Sequence, residues 1–496
     1  LPNNLTGHVS IVAISEQLTE RLEKDAAEKD DEEDDKDEDG IDLETIFSVG
    51  QYVRAYVVST VDESGTGKGK RRIELSLRPS EANTGLEKDD VVVNSTVAAS
   101  IVSVQDRGFV MDTGISNLGA FLSRSEIDSS FDEQRLQPGA VFLCQVISKG
   151  ANGKIAQLSL QQKKLGNPKN VPADATTINT FLPGTIADVL VSNTDRRGFA
   201  GKIMGHLDVT ADLIHSGVGP AGVSLDSTYK IGSRVKARII CNFPAAKEPK
   251  LGISLLPHIT SLEQKRPTKT TDAKKLPTTV LPISSLVEKC TVRHVEGEIG
   301  LFVDIGIPGL SGFVHISRVK DGKVEALYES SGPYKVGSEH KGRVVGYNQI
   351  DGLFQISFEK SVLEQQYLRL EDVPIGAVVT GEVERVIVDE KGVSGLILKI
   401  AEGITGLVPE QHLSDIKLQN PEKKFRPGMK IKARVLSTNL AKNQMRLTLK
   451  KTLVNSEAPI IKSYEDASVG MQVPGTIVKI QSSGAQIQFF GPVRGF

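Results

Sequence analysis

Short runs in which apolar and polar residues alternate, separated by glycine-bearing or polar turns, recur from one end of the chain to the other. A period of two is the signature of half-buried strands, and strands this short and this regularly interrupted predict an all-β protein. A short apolar segment, nearly always ending in glycine followed by a hydrophobic strand, occurs six times. The copies are Leu5-Thr6-Gly7-His8-Val9-Ser10, Asn117-Leu118-Gly119-Ala120-Phe121-Leu122, Ile203-Met204-Gly205-His206-Leu207-Asp208, Leu310-Ser311-Gly312-Phe313-Val314-His315, Ile404-Thr405-Gly406-Leu407-Val408-Pro409 and Val493-Arg494-Gly495-Phe496. Their glycines step by 112, 86, 107, 94 and 89 residues, a domain-sized interval.

A second element follows each complete copy: x-Gly, an alternating strand, a turn, and a closing strand of the form apolar-x-apolar-Ser/Thr-apolar. It runs from Val49-Gly50 to Leu75-Ser76-Leu77, Pro138-Gly139 to Leu158-Ser159-Leu160, Ile231-Gly232 to Ile253-Ser254-Leu255, Val336-Gly337 to Ile356-Ser357-Phe358, and Pro427-Gly428 to Leu447-Thr448-Leu449. A third element opens the copies as a Gly- or polar-led strand, for example Gly184-Thr185-Ile186-Ala187-Asp188-Val189 or Gly376-Ala377-Val378-Val379-Thr380-Gly381. Five strands in each unit suit a small closed Greek-key barrel of the oligonucleotide-binding type. The predicted units span 1–80, 91–163, 177–258, 280–362, 371–452 and 464–496, joined by polar linkers and short helices such as one over 361–370. A bent string of partly docked barrels is the expected shape. The first and last units are expected to lack strands, as they would in a piece of a longer protein.

Composition narrows the function classes. Cys144, Cys241 and Cys290 are too few and too scattered for a disulfide framework or a Cys-x-x-Cys zinc site, which suits a reducing compartment. No apolar run approaches the roughly 18 residues that span a bilayer, so no membrane association is expected. The net charge of −2 conceals a division, because Glu23–Asp39 carries 12 acids against 3 lysines and leaves the remainder near +7. This insertion, 23–40, is expected to be a solvated loop. Catalytic motifs are missing: the eight histidines form no His-Glu-x-x-His, and there is no Gly-x-Ser-x-Gly or phosphate loop. Gly65-Thr66-Gly67-Lys68-Gly69-Lys70 reads as a basic hairpin loop, since no helix follows it.

The unit resembles the S1 RNA-binding domain family, most closely in copy four, where Gly300-Leu301-Phe302-Val303 and Gly312-Phe313-Val314-His315-Ile316-Ser317 carry the likeness. The resemblance implies tandem five-stranded S1-type barrels and an RNA face at Phe302, His315 and Asn348. Phe313 lies two residues from His315 and so shares its strand face. Phe302 and Phe313 admit two readings, a platform on which bases stack or part of the barrel core. In copy two the candidate contacts are Phe109, Arg107 and Lys154; in copy three they are Phe199, Arg196, Arg197 and His206. Copy five has Leu396 and Leu398 in place of aromatics and Pro409 at the histidine position, which suits a spacer or a protein contact.

The long array of divergent copies with an acidic insertion is similar to the family of the eukaryotic ribosomal RNA processing protein five. That resemblance implies a non-enzymatic scaffold in the nucleus and nucleolus, part of a large ribonucleoprotein complex, the small-subunit processome. Its partners would be precursor ribosomal RNA and ribosome assembly factors, and it would need no cofactor and no metal. Two other readings stay open: a protein-interaction scaffold with little RNA contact, and a translation-associated S1 protein.

Overall fold

The computed structural model describes residues 1–496 apart from 4, 30–42, 63–70, 151, 219–224, 244–245, 268–274, 390–391, 417, 419–423, 441 and 483. The acidic stretch from residue 30 onward and the Gly65–Lys70 loop lie outside the described residues. The beginning of that stretch is not the loop its charge suggested but the end of a helix, Glu16–Lys29. Ser15 Oγ caps this helix by accepting from Leu18 N–H at 3.2 Å. Ile14 and Leu18 are buried in one cluster with the core of the second unit, and that burial holds the helix where charge alone would not.

Four closed five-stranded barrels follow one another between two three-stranded sheets. Barrel two is built from Thr96–Gln105, Gly108–Asp112, Gly119–Ser123, Val141–Lys149 and Ile155–Ser159. Barrel three uses Ile186–Asp195, Gly198–Ile203, Leu207–Asp212, Arg234–Asn242 and Lys250–Ser254. Barrel four uses Leu286–Glu296, Gly300–Asp304, Ser311–His315, Glu339–Asn348 and Leu353–Ser357. Barrel five uses Val378–Asp389, Gly392–Ala401, Ile404–Pro409, Lys430–Asn439 and Gln444–Thr448. In each, the first strand pairs with the second and fourth, and the third runs parallel to the fifth, which closes the barrel. Units one and six contribute the sheets of Gly7–Val9, Tyr56–Asp62 and Arg71–Ser76, and of Thr476–Gln481, Gly484–Gln488 and Arg494–Gly495.

The repeated sequence elements have repeated physical jobs. Gly139, Gly232, Gly337 and Gly428 sit at φ of +94°, +85°, +85° and +85°, a conformation that residues with a Cβ resist. Each donates its N–H to the first strand of its barrel, to the carbonyls of Ile101, Val191, Val292 and Val383, all at 2.8 Å. The closing-strand hydroxyls of Ser159, Ser254, Ser357 and Thr448 are fully buried, and each accepts the N–H two residues on, turning the chain toward a short helix. Those helices are Gln162–Leu165, Pro257–Ser261, Lys360–Glu364 and Lys451–Val454, so the helix expected over 361–370 is a single turn.

A buried arginine locks each of three barrels to the helix behind it. Arg238 donates to the carbonyls of Gly184, Leu165 and Thr260; Arg343 to those of Ser284, Val362 and Gln365; Arg434 to those of Gly376, Leu453 and Ser456. All three stand six residues after the x-Gly glycine, in the fourth strand. Burial pulls Arg238 down to about 9, which still leaves it charged at neutral pH. Because Leu165 belongs to the segment following barrel two, Arg238 also fastens barrel two to barrel three. Replacing Arg238 with Met leaves three carbonyls without their donor. This is expected to lower the stability of barrel three by about 2–4 kcal/mol, read as reduced hydrogen-exchange protection there and around Leu165. Arg234→Met, on the exposed part of the same strand, should leave protection within about 0.5 kcal/mol of the parent.

Candidate nucleic-acid interface

In every closed barrel, one row of cross-strand partners runs over all five strands on the outer face. In barrel two it is Ser103, Val110, Phe121, Gln157 and Ser148. Barrel three has Asn193, Ala200, Thr210, Gly252 and Cys241. Barrel four has His294, Phe302, Phe313, Gln355 and Gly346, and barrel five has Arg385, Ile397, Leu407, Arg446 and Ser437. A register shift directly precedes the row in the first and the fourth strand of all four barrels. Such bulges bend a strand and re-aim its side chains.

This register divides the aromatics expected to contact RNA. Phe302 is two residues beyond the glycine that opens its strand, whereas Phe109 and Phe199 are one residue beyond theirs, and a one-residue offset moves a strand side chain to the opposite face. Phe109 and Phe199 are therefore core residues, 1% and 4% exposed. The Arg124 guanidinium covers the Phe109 ring at 5.1 Å, and Tyr229 covers Phe199 at 5.1 Å. The outward ring of barrel two is Phe121, absent from the sequence expectation, and it occupies the row position of Phe313. Its signal was the alternation: Phe121 follows buried Ala120 and precedes buried Leu122. The same shift puts Ser123, not Leu122, opposite the opening glycine, where barrel four has His315.

Barrel four carries the most aromatic row, but that row is covered. Phe302, 2% exposed, lies beside Phe313 with ring centroids 5.1 Å apart, and Ile214 of barrel three packs against the cluster they form with Leu353. The loop joining its fourth and fifth strands is gripped by two other units. His258 Nε2–H donates to the carbonyls of Gln349 and Ile350 at 3.1 and 3.2 Å, and Lys265 Nζ donates to that of Gly352 at 2.8 Å. His215 Nε2 meets Asp351 Oδ1 at 3.2 Å with both side chains nearly inaccessible (1% and 2%), while Ser254 Oγ lies 3.0 Å from the other ring nitrogen. Asp351 also accepts the Asn3 N–H at 3.1 Å, and Gln349 Nε2 reaches the Gly50 carbonyl at 3.0 Å. Asn348 donates to the Leu1 carbonyl at 3.2 Å and accepts from Asp351 N–H, so both ends of its amide are engaged. Phe302, Phe313 and Asn348 thus serve a contact between units in this arrangement. Units one, three and four are docked together here, more than a string of partly docked barrels would be.

The polar candidates are placed differently. Arg107 and Lys154 are exposed, in the turn before the second strand and the loop before the fifth strand of barrel two. Gly108 pairs with Ser123 and Ile155 pairs with Gly119, so the two cations stand at opposite ends of the third strand, roughly 13 Å apart along it. Between them lie Phe121 and Val110, the latter 38% exposed. Arg196 and Arg197 are exposed in the corresponding turn of barrel three, where Asp195 Oδ1 accepts the N–H groups of Arg197 and Gly198. Arg197 faces the boundary with barrel four, where its charge acts on Glu296. His206 is exposed in the hairpin between the second and third strands, away from that turn. His315 is exposed, its Nδ1 2.8 Å from Ser317 Oγ, and partial desolvation together with Arg318 lowers its pKa. Among the described residues no group of three or more metal-ligating side chains converges, and no helix is long and apolar enough to cross a membrane. Burial pushes the Cys144 and Cys290 thiols up to about 12, so neither is a ready nucleophile.

Residues 378–449 match the family described as the RRP5 S1 domain, and residues 276–368 match the RRP5 OB-fold domain. Over its full length the chain is 39% identical to the rRNA biogenesis protein rrp5 of Schizosaccharomyces pombe. The chain is a tandem S1 array resembling RRP5. It is also 29% identical along its whole length to the mouse RRP5 homolog and 26% identical to Arabidopsis thaliana RRP5. It spans 28%, 25% and 24% of those three relatives, about a quarter of the length of each.

In this RRP5-like array the docking of barrel four is expected to depend on pH through His258, whose ring donates to the barrel-four loop. Desolvation, then Lys265, depress His258 to about 4 against an ordinary 6.5, with the two carbonyl contacts and His215 as smaller influences. Because the docked form disfavours the proton, the contribution of His258 is complete above pH 6.5 and is lost as pH falls toward 4. Hydrogen exchange at the 349–352 loop should therefore quicken between pH 6.5 and 4, after correction for intrinsic rates. His258→Gln, which keeps a donor but cannot titrate, should flatten that dependence.

Proposed function

We propose that this array is a non-catalytic, RNA-binding scaffold of ribosome biogenesis, working in the nucleolus with precursor ribosomal RNA and assembly factors in the small-subunit processome. The names of its relatives, rRNA biogenesis protein and RRP5 homolog, support that setting. The observation that carries the RNA reading is the open row of barrel two, with Phe121 and Val110 flanked by Arg107 and Lys154. A partly exposed ring beside an aliphatic surface accepts a base of any identity, and cations at either end meet the backbone phosphates on each side of it. Barrel three offers a basic turn of its own at Arg196 and Arg197. Barrel four, whose row and loop are occupied by other units, acts in this reading as the joint that fixes the array.

Binding of single-stranded oligouridylate to the whole chain tests the assignment. Phe121→Ala is expected to weaken binding by about 1–3 kcal/mol. Replacing Arg107 and Lys154 with Gln should reduce the log-log salt slope by about 0.7 for each phosphate that is no longer neutralised. Phe302→Leu should leave RNA affinity unchanged. An affinity that follows Phe302 and ignores Phe121 would reverse the roles of barrels two and four. Ultraviolet crosslinking in cells, mapped to residues, supplies the second readout: crosslinks to precursor ribosomal RNA are expected in barrels two and three.

A further inference from the structure

The four outer rows differ most in barrel five. Its row is Arg385, Ile397, Leu407, Arg446 and Ser437, and among the closed barrels it alone sets an aliphatic pair between two arginines. Leu407 is 37% exposed, Ile397 is half-buried, and both arginines are exposed. Among the described residues neither arginine side chain has a hydrogen bond or ion pair. In barrel four the corresponding positions are covered by Ile214, carried on a barrel-three segment that also bears Asp212. The same outer face therefore already receives an aliphatic side chain from a separate stretch of polypeptide. Where barrel four flanks its apolar pair with His294 and Gln355, barrel five has Arg385 and Arg446, so its complementary segment needs carboxylates on both sides of the aliphatic residue.

We infer that the outer row of barrel five is a docking surface for an acidic, aliphatic peptide segment of a partner protein. The closed barrel offers no free edge for strand addition, so recognition rests on side chains. Arg385 and Arg446 are three strands apart, about 14 Å, which is close to four residues of extended chain at about 3.3 Å each. Side chains at i, i+2 and i+4 of an extended segment face the same way. The fitting pattern is an acid, an aliphatic residue two positions later and a second acid two positions after that. A nucleic acid suits the row less well. The row offers no aromatic side chain on which a base could stack.

The test is selection of a random displayed-peptide library on the whole chain, followed by fluorescence anisotropy with a synthetic peptide of the enriched sequence. Enrichment of acid-x-aliphatic-x-acid is expected. Affinity should drop at least tenfold in an Arg385→Ala/Arg446→Ala double variant and in Leu407→Ser, with circular dichroism unchanged. The Phe121→Ala variant, which tests the RNA reading separately, should bind the peptide like the parent. Enrichment without spaced acids, no enrichment, or peptide binding indifferent to the double substitution overturns the inference. So does oligouridylate binding through the same two arginines more tightly than the peptide, which would reassign the row to RNA.

Discussion

A closed barrel has no free sheet edge, and this constraint shapes how one unit of the array can hold the next. Most backbone groups along the ladders are already paired, so contact between units falls mainly to side chains on the outer face and to the loops between strands. Loop carbonyls that the ladders leave unpaired must then find donors elsewhere. The structure meets that demand with cations and imidazoles that donate to main-chain oxygens: Arg238, Arg343 and Arg434 behind the barrels, and His258 and Lys265 at the barrel-four loop. Arg54 of unit one works in the same way, reaching the Pro183 carbonyl, Asn83 Oδ1 and the Thr96 carbonyl at 2.7 to 2.9 Å. Each of these donors ties together segments far apart in sequence. A guanidinium suits the task because its five N–H groups can satisfy several carbonyls at once while remaining charged.

The outer row is where the barrels diverge, and its occupancy separates their roles. Four rows share one geometry, set by bulges and strand order, yet their side chains range from small and polar in barrel three to aromatic in barrel four. The aromatic row is the one buried against a neighbour. Burying two phenylalanines and Leu353 under Ile214 removes from water a patch that exposure would make adhesive. The aromatic content that marks barrel four as a candidate RNA face in the sequence thus serves association between units in the fold. Stacking a base and packing an isoleucine both require a flat, apolar, desolvated surface, so sequence alone does not separate the two uses.

Much of the fold was legible because it depends on local chemistry. The x-Gly turns, the buried Ser/Thr hydroxyls of the closing strands and the period-two alternation each report a backbone requirement that the residue type states directly. The candidate site was less legible, for a reason that a single position illustrates. Gly108-Phe109-Val110 and Gly300-Leu301-Phe302 look alike when aligned on their aromatics, but aligned on the glycine they place phenylalanine on opposite faces. The glycine is the correct anchor, because a Cβ at Gly108 or Gly300 would lie 2.2 Å from the carbonyl oxygen of Leu122 or Val314 in the third strand. That close approach fixes the register. Contacts between units were not legible at all, since nothing in Asn348–Gly352 distinguishes a loop held by His215, His258 and Lys265 from one open to a ligand. The arginine six residues beyond the x-Gly glycine was a readable signal, recurring in units three, four and five, but it marks a structural clamp and lies outside the surface rows.

Rigid docking changes what several weak sites can accomplish together. If barrels two and three were joined by a slack linker, a second contact would gain from tethering alone, with an effective concentration set by linker length. Here the Thr96 and Thr185 hydroxyls are 2.9 Å apart, Thr180 donates to the Asp90 carbonyl at 2.8 Å, and Arg238 spans both barrels. Barrels two and three are therefore held at a fixed spacing, and under the RNA-binding proposal less orientational freedom would be lost if one RNA engaged both. The same rigidity would exclude any RNA whose single-stranded stretches cannot match that spacing. On that proposal, selection by shape would come from the distance between sites that individually read little sequence, and that distance is maintained by hydrogen bonds to main-chain carbonyls away from the outer rows.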